Sequence, residues 1–189
     1  MVEYLRTYQV RSEYLDSITG IANRYFFDKQ LHRAWVNAQK TKNPLSLLLC
    51  EIDQLNSERS RSAADSCLKK IAECLKATLR RPTDVAAYYE GKKFALLLPY
   101  TDAHGTLIIT HRILTNVRSL ALVCEPSELS ESLHTAQTVT ISIGGHSFWP
   151  VPGVSLDTIV HLAEIRLFQA KNCGGNQSRL STTCRDVLL

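Results

Sequence analysis

The apolar positions of this 189-residue chain switch between a helical period and short buried runs. From Asn23 to about Lys40, Phe26, Phe27, Leu31, Ala34, Trp35 and Ala38 recur on one face, which predicts an amphipathic helix. Residues 64–79 repeat the pattern, with Leu68, Ile71, Ala72, Leu75 and Leu79 on one stripe. Two more helices are predicted over 101–117, with Leu107, Ile108, His111, Leu114 and Val117 inward, and over 156–171. Residues 2–15 are polar, with Leu5, Tyr8 and Leu15 at helical spacing. So thin a stripe predicts a lead-in helix that pairs with another helix, in this chain or a second one.

Strand patterns fall between the helices. Leu45 to Ile52 is an unbroken apolar run, short enough for a strand buried on both faces, and it ends in Glu51-Ile52-Asp53. Residues 85–89 and 93–98 read as a hairpin around Glu90-Gly91-Lys92-Lys93. A strand is expected at 121–124, and another from Gln137 that turns at Gly144-Gly145. The tail from Ser178 adds one short strand. Asp16-Ser17-Ile18-Thr19-Gly20 is turn and cap chemistry, Lys42-Asn43-Pro44 breaks the chain, and Gly174-Gly175 closes the last helix. The sum is an α/β domain over residues 16–180, with a mixed sheet flanked by helices, a lead-in segment at 1–15 and a tail at 181–189.

Composition narrows the function classes. Hydrophobic residues make up 44% and charged residues 21%, ordinary for a soluble globular domain. The 22 basic residues are scattered and no basic block is interleaved with aromatics, so nucleic acid is not an expected partner. No apolar run approaches a membrane span, and the N-terminus lacks a signal-peptide pattern. The six cysteines show no zinc spacing and read as reduced, mostly buried thiols in a cytoplasmic protein. His104 and His111, seven apart on a predicted helix, read as a chance spacing or as surface residues and not as a metal pair.

The order of motifs resembles the diguanylate cyclase, or GGDEF, family. Asp16 to Arg24 resembles D-x-L-T-G-L-x-N-R, and Glu51-Ile52-Asp53 resembles a D-I-D strand end. Ala64-Asp65-x-x-Leu68 resembles G-D-x-x-L, and Tyr88 to Phe94 aligns with R-Y-G-G-D-E-F. Thr140 to Gly144 is similar to the S-I-G strand, and Ala163 to Asn176 to A-D-x-A-L-Y-x-A-K-x-x-G-R-N. The resemblance implies a palm-like fold, a central mixed sheet of about five strands flanked by helices. It implies a reaction in which two GTP condense to cyclic di-GMP across two facing monomers, with two metal ions held by carboxylates at one strand end and at the hairpin tip.

Against that pattern the hairpin is altered. Glu90 stands in place of the first glycine, Gly91 keeps the second, and Lys92 and Lys93 replace the two acids. An ammonium repels Mg²⁺: two unit charges ~4 Å apart interact by ~4 kcal/mol at an effective dielectric of 20. Glu51 alone is not a two-metal site. The loop between Asp53 and Asp65 is shorter than the family's, and Gly175 replaces a phosphate-binding arginine. The expectation is no catalytic residue, no metal and no cofactor.

What the resemblance retains is Arg81-Pro82-Thr83-Asp84, an R-x-x-D spaced like the family's inhibitory site, where cyclic di-GMP binds. Arg81 suits a bidentate contact to a guanine edge or a phosphate, and Asp84 accepts from guanine N–H groups. The same residues also suit a solvated helix cap. Asn56, Asp65 and Lys171 are the candidates for a relic GTP site, with Lys92 or Lys93 as counter-charge, or with Glu90 and Lys92 simply paired across the tip. The expected function is an inactive GGDEF domain that receives cyclic di-GMP in bacterial signalling of the kind that controls biofilms. The domain is expected to work within or beside a larger signalling protein. The alternatives are a GTP-binding regulatory domain and a protein-interaction module or homodimer working through the N-terminal helix.

Overall fold

β1 (Leu45–Ile52) is buried along its whole length, which places it at the centre of the sheet between two helical layers. The structure, a computed structural model of the chain, describes residues 13–53, 55, 61–124, 137–151 and 153–183. The other elements are α1 (Arg24–Thr41), α2 (Arg61–Thr78), β2 (Val85–Glu90), β3 (Lys93–Pro99), α3 (Ala103–Ser119), β4 (Val123–Cys124), β5 (Gln137–Thr138), β6 (Ile141–Phe148), α4 (Leu156–Asn172) and β7 (Ser178–Thr182). The main sheet has the order β2-β3-β1-β6-β7, and β4 pairs with β5 apart from it. Only the β6–β7 pair of the main sheet is parallel. The expected five-stranded mixed sheet flanked by helices is the one observed.

Strand alternation sorts β1 between the layers. Leu48, Cys50 and Ile52 pack with Ile71 and Leu75 of α2 and Ile113 and Val117 of α3. Leu45, Leu47 and Leu49 pack with Phe27 and Leu31 of α1 and Ile159 and Leu167 of α4. Glu51 shares the parity of the second set, so its carboxylate leaves the strand toward α4. Asn23 caps α1, its side chain accepting from the Phe26 N–H, and Ser155 caps α4.

Two expectations are corrected. The inward face of α3 is formed by Thr106, Thr110, Ile113, Leu114 and Val117, whereas Leu107 and Ile108 are 54% and 46% exposed and His111 faces out. A buried hydroxyl cluster sets this phase: Thr106 Oγ1 donates to Ser46 Oγ (2.8 Å) and accepts from Ser147 Oγ (3.1 Å). Apolar counting passes over threonines that find partners. Gly144 and Gly145 lie inside β6 and not at a turn. A Cβ on Gly144 would stand 2.0 Å from the Leu167 nitrogen, so its absence lets α4 sit directly on the sheet.

The proposed lead-in helix falls largely outside the described residues, as do Asn56, most of the loop before α2 and Cys184. Of the thiols, Cys50 is buried, Cys67 and Cys74 are half-buried and Cys173 is exposed. Among the described residues no helix is long and apolar enough to cross a membrane.

Candidate functional site

The β2–β3 hairpin delivers its tip to the end of β1. Gly91 adopts φ +54°, the left-handed conformation glycine accepts without strain. Tyr88 Oη donates to the Gly91 carbonyl (2.9 Å), and the Ile52 N–H donates to the Lys92 carbonyl (3.1 Å). Burial, and then the carboxylates of Asp16, Asp65 and Glu90, push the Tyr88 phenol up.

Glu51, 5% exposed, meets two ammonium groups here. Lys171, in the last turn of α4, donates to Glu51 Oε1, and Lys92 Nζ lies 3.5 Å from the same oxygen. Glu90 pairs with Lys93 (3.0 Å), and this hydrogen bond raises the lysine pKa. The expected Glu90–Lys92 pair is therefore not the one formed. The bulge between Tyr88 and Glu90 places Glu90 opposite Lys93 and leaves Lys92 to reach Glu51.

Asp53, at the same strand end, is satisfied by the protein. Its carboxylate accepts from Thr140 Oγ1 (2.6 Å), Ser142 Oγ and the Asn176 N–H (2.9 Å). It ties β1 to β6 and to the turn after α4. A divalent-metal site asks for open, uncompensated oxygen ligands. These residues do not fit one: Glu51 is paired with lysines and Asp53 is spent on hydrogen bonds. Among the described residues, no three His, Cys, Asp or Glu side chains are grouped to hold a metal. Of the residues expected for a relic GTP site, Asp65 is half-buried on α2, Lys171 is paired with Glu51, and Asn56 is outside the described residues.

Arg81 and Asp84 occupy a different place, the loop from α2 to β2. The Asp84 N–H donates to the Arg81 carbonyl (3.1 Å), closing a turn that brings both side chains to one wall. Arg81 Nη1 reaches the Tyr100 carbonyl (3.4 Å) and Thr101 Oγ1 (3.3 Å). Asp84 Oδ1 is buried without a hydrogen-bond partner among the described residues. Burial pushes the Asp84 carboxyl up, opposed by the nearby Arg81 charge.

Both residues line a cavity of about 700 Å³ that also takes in Arg33 and Asn37 of α1, Lys76 of α2 and Tyr100. Tyr100 holds φ +57°, unusual for a side-chain-bearing residue, and its hydroxyl accepts from Asn37 Nδ2 (2.8 Å). Sequence reading misses these four residues. Arg33 and Asn37 share α1, Lys76 comes from α2 and Tyr100 follows β3, and none belongs to a motif.

Residues 13–177 match the family model described as "Diguanylate cyclase, GGDEF domain". Diguanylate cyclase A of Treponema denticola is 29% identical over 172 residues, which cover 88% of this chain and 44% of that one. Cyclic di-GMP phosphodiesterase NbdA of Pseudomonas aeruginosa is 26% identical over 167 residues, 87% of this chain and 20% of that one. The chain thus spans less than half the length of these curated relatives. The crystal structure of the coiled coil and GGDEF domain of DgcB from Caulobacter crescentus in complex with c-di-GMP superposes with a TM-score of 0.76 at 24% identity, over 96% of this chain and 93% of that one.

Proposed function

The chain belongs to the GGDEF family, and from that premise we propose that its domain is catalytically inactive and works as a cyclic di-GMP receptor through Arg81 and Asp84. The observation that carries the reading is the buried Asp84 oxygen that has no donor among the described residues, beside a guanidinium, in the wall of the cavity. Leaving a buried acceptor unpaired costs about 1–3 kcal/mol. A ligand that brings N–H donors to Asp84 and negative charge to Arg81 recovers that cost. A guanine base linked to a phosphate brings both.

The loss of chemistry rests on Glu51. Its carboxylate is held by Lys92 and Lys171, which supply the positive charge that a metal would otherwise bring. The same pairing argues against the GTP reading, because Lys171 is committed to Glu51.

Thermal unfolding of the purified chain with each nucleotide tests the proposal. A ligand that binds only the folded state raises the melting temperature. Cyclic di-GMP is expected to raise it, and GTP with Mg²⁺ to leave it unchanged. Stabilisation by GTP alone would instead favour the relic nucleotide site, and no response to either would favour the interaction module.

A further inference from the structure

α2 and α3 lie on the same face of the sheet, with Ile71 and Leu75 of one and Ile113 and Val117 of the other turned into one core. Asn116 Nδ2 of α3 donates to Thr78 Oγ1 of α2 across the seam (2.9 Å). Their outward sides therefore form one surface. Lys69 and Lys70 on α2, and Arg80 just past its end, are exposed there, and Arg112 on α3 is half-buried. None of the four has a salt-bridge or side-chain hydrogen-bond partner among the described residues. On α1, by contrast, Arg24 pairs with Asp28 and Lys29 lies over the Tyr25 ring. The carboxylates of α2 are the exposed Glu73 and the half-buried Asp65, and α3 has no Asp or Glu between Ala103 and Ser119. Ile108, one turn before Arg112 on the same helix face, and its neighbour Leu107 stand exposed beside these cations.

We propose that the outer face of α2 and α3 docks on a bilayer surface rich in anionic phospholipid. Lys69, Lys70, Arg80 and Arg112 meet the headgroup phosphates, and Ile108 and Leu107 enter the acyl boundary. Charge complementarity selects this partner, because cations without a protein carboxylate are drawn to a negative leaflet. The lysine stems lie against apolar surface while their ammonium groups stay at headgroup level. Neither helix carries a Phe, Tyr or Trp. The face thus lacks the stacking platforms of a single-stranded nucleic-acid groove and the aromatic anchors that dominate protein interfaces. A bilayer needs neither: charge together with buried aliphatic area holds a protein at its surface. The attachment is peripheral, since no described helix is long and apolar enough to cross. None of the four cations lines the cavity of Arg81 and Asp84, so the proposal stands apart from the receptor reading.

Cosedimentation with vesicles tests it, using phosphatidylcholine alone and phosphatidylcholine mixed with an equal part of phosphatidylglycerol. The wild-type chain is expected to bind the mixed vesicles, to ignore the neutral ones and to be released as salt rises. Lys69→Ala/Lys70→Ala is expected to bind about ten- to thirtyfold more weakly. Both positions are exposed on a helix, where alanine is well tolerated, and an unchanged melting temperature shows that the variant is folded. Ile108→Ser is expected to bind more weakly at every salt concentration while keeping the wild-type salt dependence. Lys40→Ala, on α1 and away from this face, is expected to bind like the wild type. No binding to the mixed vesicles, equal binding to both kinds, or a double variant that binds as tightly as the wild type overturns the proposal. Silence with vesicles, together with retention of a single-stranded oligonucleotide or of polyglutamate that depends on Lys69 and Lys70, overturns it in favour of that class of partner.

Discussion

Lys92, in the hairpin tip, lies 3.5 Å from the Glu51 carboxylate at the end of β1, and Lys171 donates to the same oxygen from α4. Three elements thus meet at one buried charge. The lysines are about one-third exposed while Glu51 is nearly covered, so the carboxylate depends on them more than they depend on it. Glu51→Gln leaves two ammonium groups facing each other. It is expected to destabilise the chain by about 1–3 kcal/mol, less than the cost of breaking a fully buried pair because the lysines keep solvent. Urea denaturation measures it.

Mg²⁺ is expected to leave the wild-type melting temperature unchanged, and GTP with Mg²⁺ to yield no cyclic di-GMP. Replacing Lys92 with Glu removes one of the two cations at Glu51 and adds a carboxylate beside it. In Lys92→Glu, a Mg²⁺-dependent rise in melting temperature is expected where the wild type shows none. Differential scanning fluorimetry reads both.

Gly144→Ala tests the seat of α4 on the sheet. The added Cβ would meet backbone atoms of Ala163 and Leu167, which cannot rotate away. Overpacking costs about 1–3 kcal/mol where side chains can yield. Here the cost is expected at or above the top of that range, and circular dichroism at rising temperature follows it.

His146, 2% exposed, lies between Ser181 Oγ and Thr183 Oγ1, both at 2.8 Å. Burial, and then the Arg166 charge, push its pKa down from 6.5 to about 4. The unfolded chain therefore binds the proton first. The contribution is complete above pH 6.5 and is lost as pH falls toward 4, at up to about 1.4 kcal/mol per pH unit. His146→Gln is expected to flatten the stability profile in that window, measured by urea denaturation at a series of pH values.

Asp84 has the opposite sign. Its pKa is raised above the ordinary 3.8, so the folded chain takes up the proton first, and the ionised carboxylate is a cost that grows as pH rises through that range. Donors from a bound guanine favour the ionised form. Cyclic di-GMP binding is expected to release protons and to weaken as pH falls through the raised Asp84 pKa. Titration in buffers of different ionisation enthalpy measures the release.

Much of this architecture is legible in the sequence because burial follows apolar periodicity. β1 reads as buried on both faces, the hairpin reads from its glycine and charges, α1 and α2 read from their stripes, and the end of α4 reads from the glycines that close it. α3 misleads because Thr106 and Thr110 do the work of apolar residues through hydrogen bonds. Gly144 misleads because a glycine that signals a turn locally serves a close helix approach instead. At the site, the sequence exposes the charged tip but not the pairing. Which lysine meets Glu51 depends on a bulge and on a helix 120 residues later in the chain. Arg33, Lys76, Asn37 and Tyr100 become neighbours only through the fold.

The central claim is that Arg81 and Asp84 bind cyclic di-GMP in a domain that has lost its chemistry. Isothermal titration of the purified chain with cyclic di-GMP, beside Arg81→Ala, tests it most directly. Saturable one-site binding by the wild type, weakened at least about tenfold in Arg81→Ala, is the predicted result. A wild-type chain that shows no binding, or an Arg81→Ala variant that binds equally well, would contradict it.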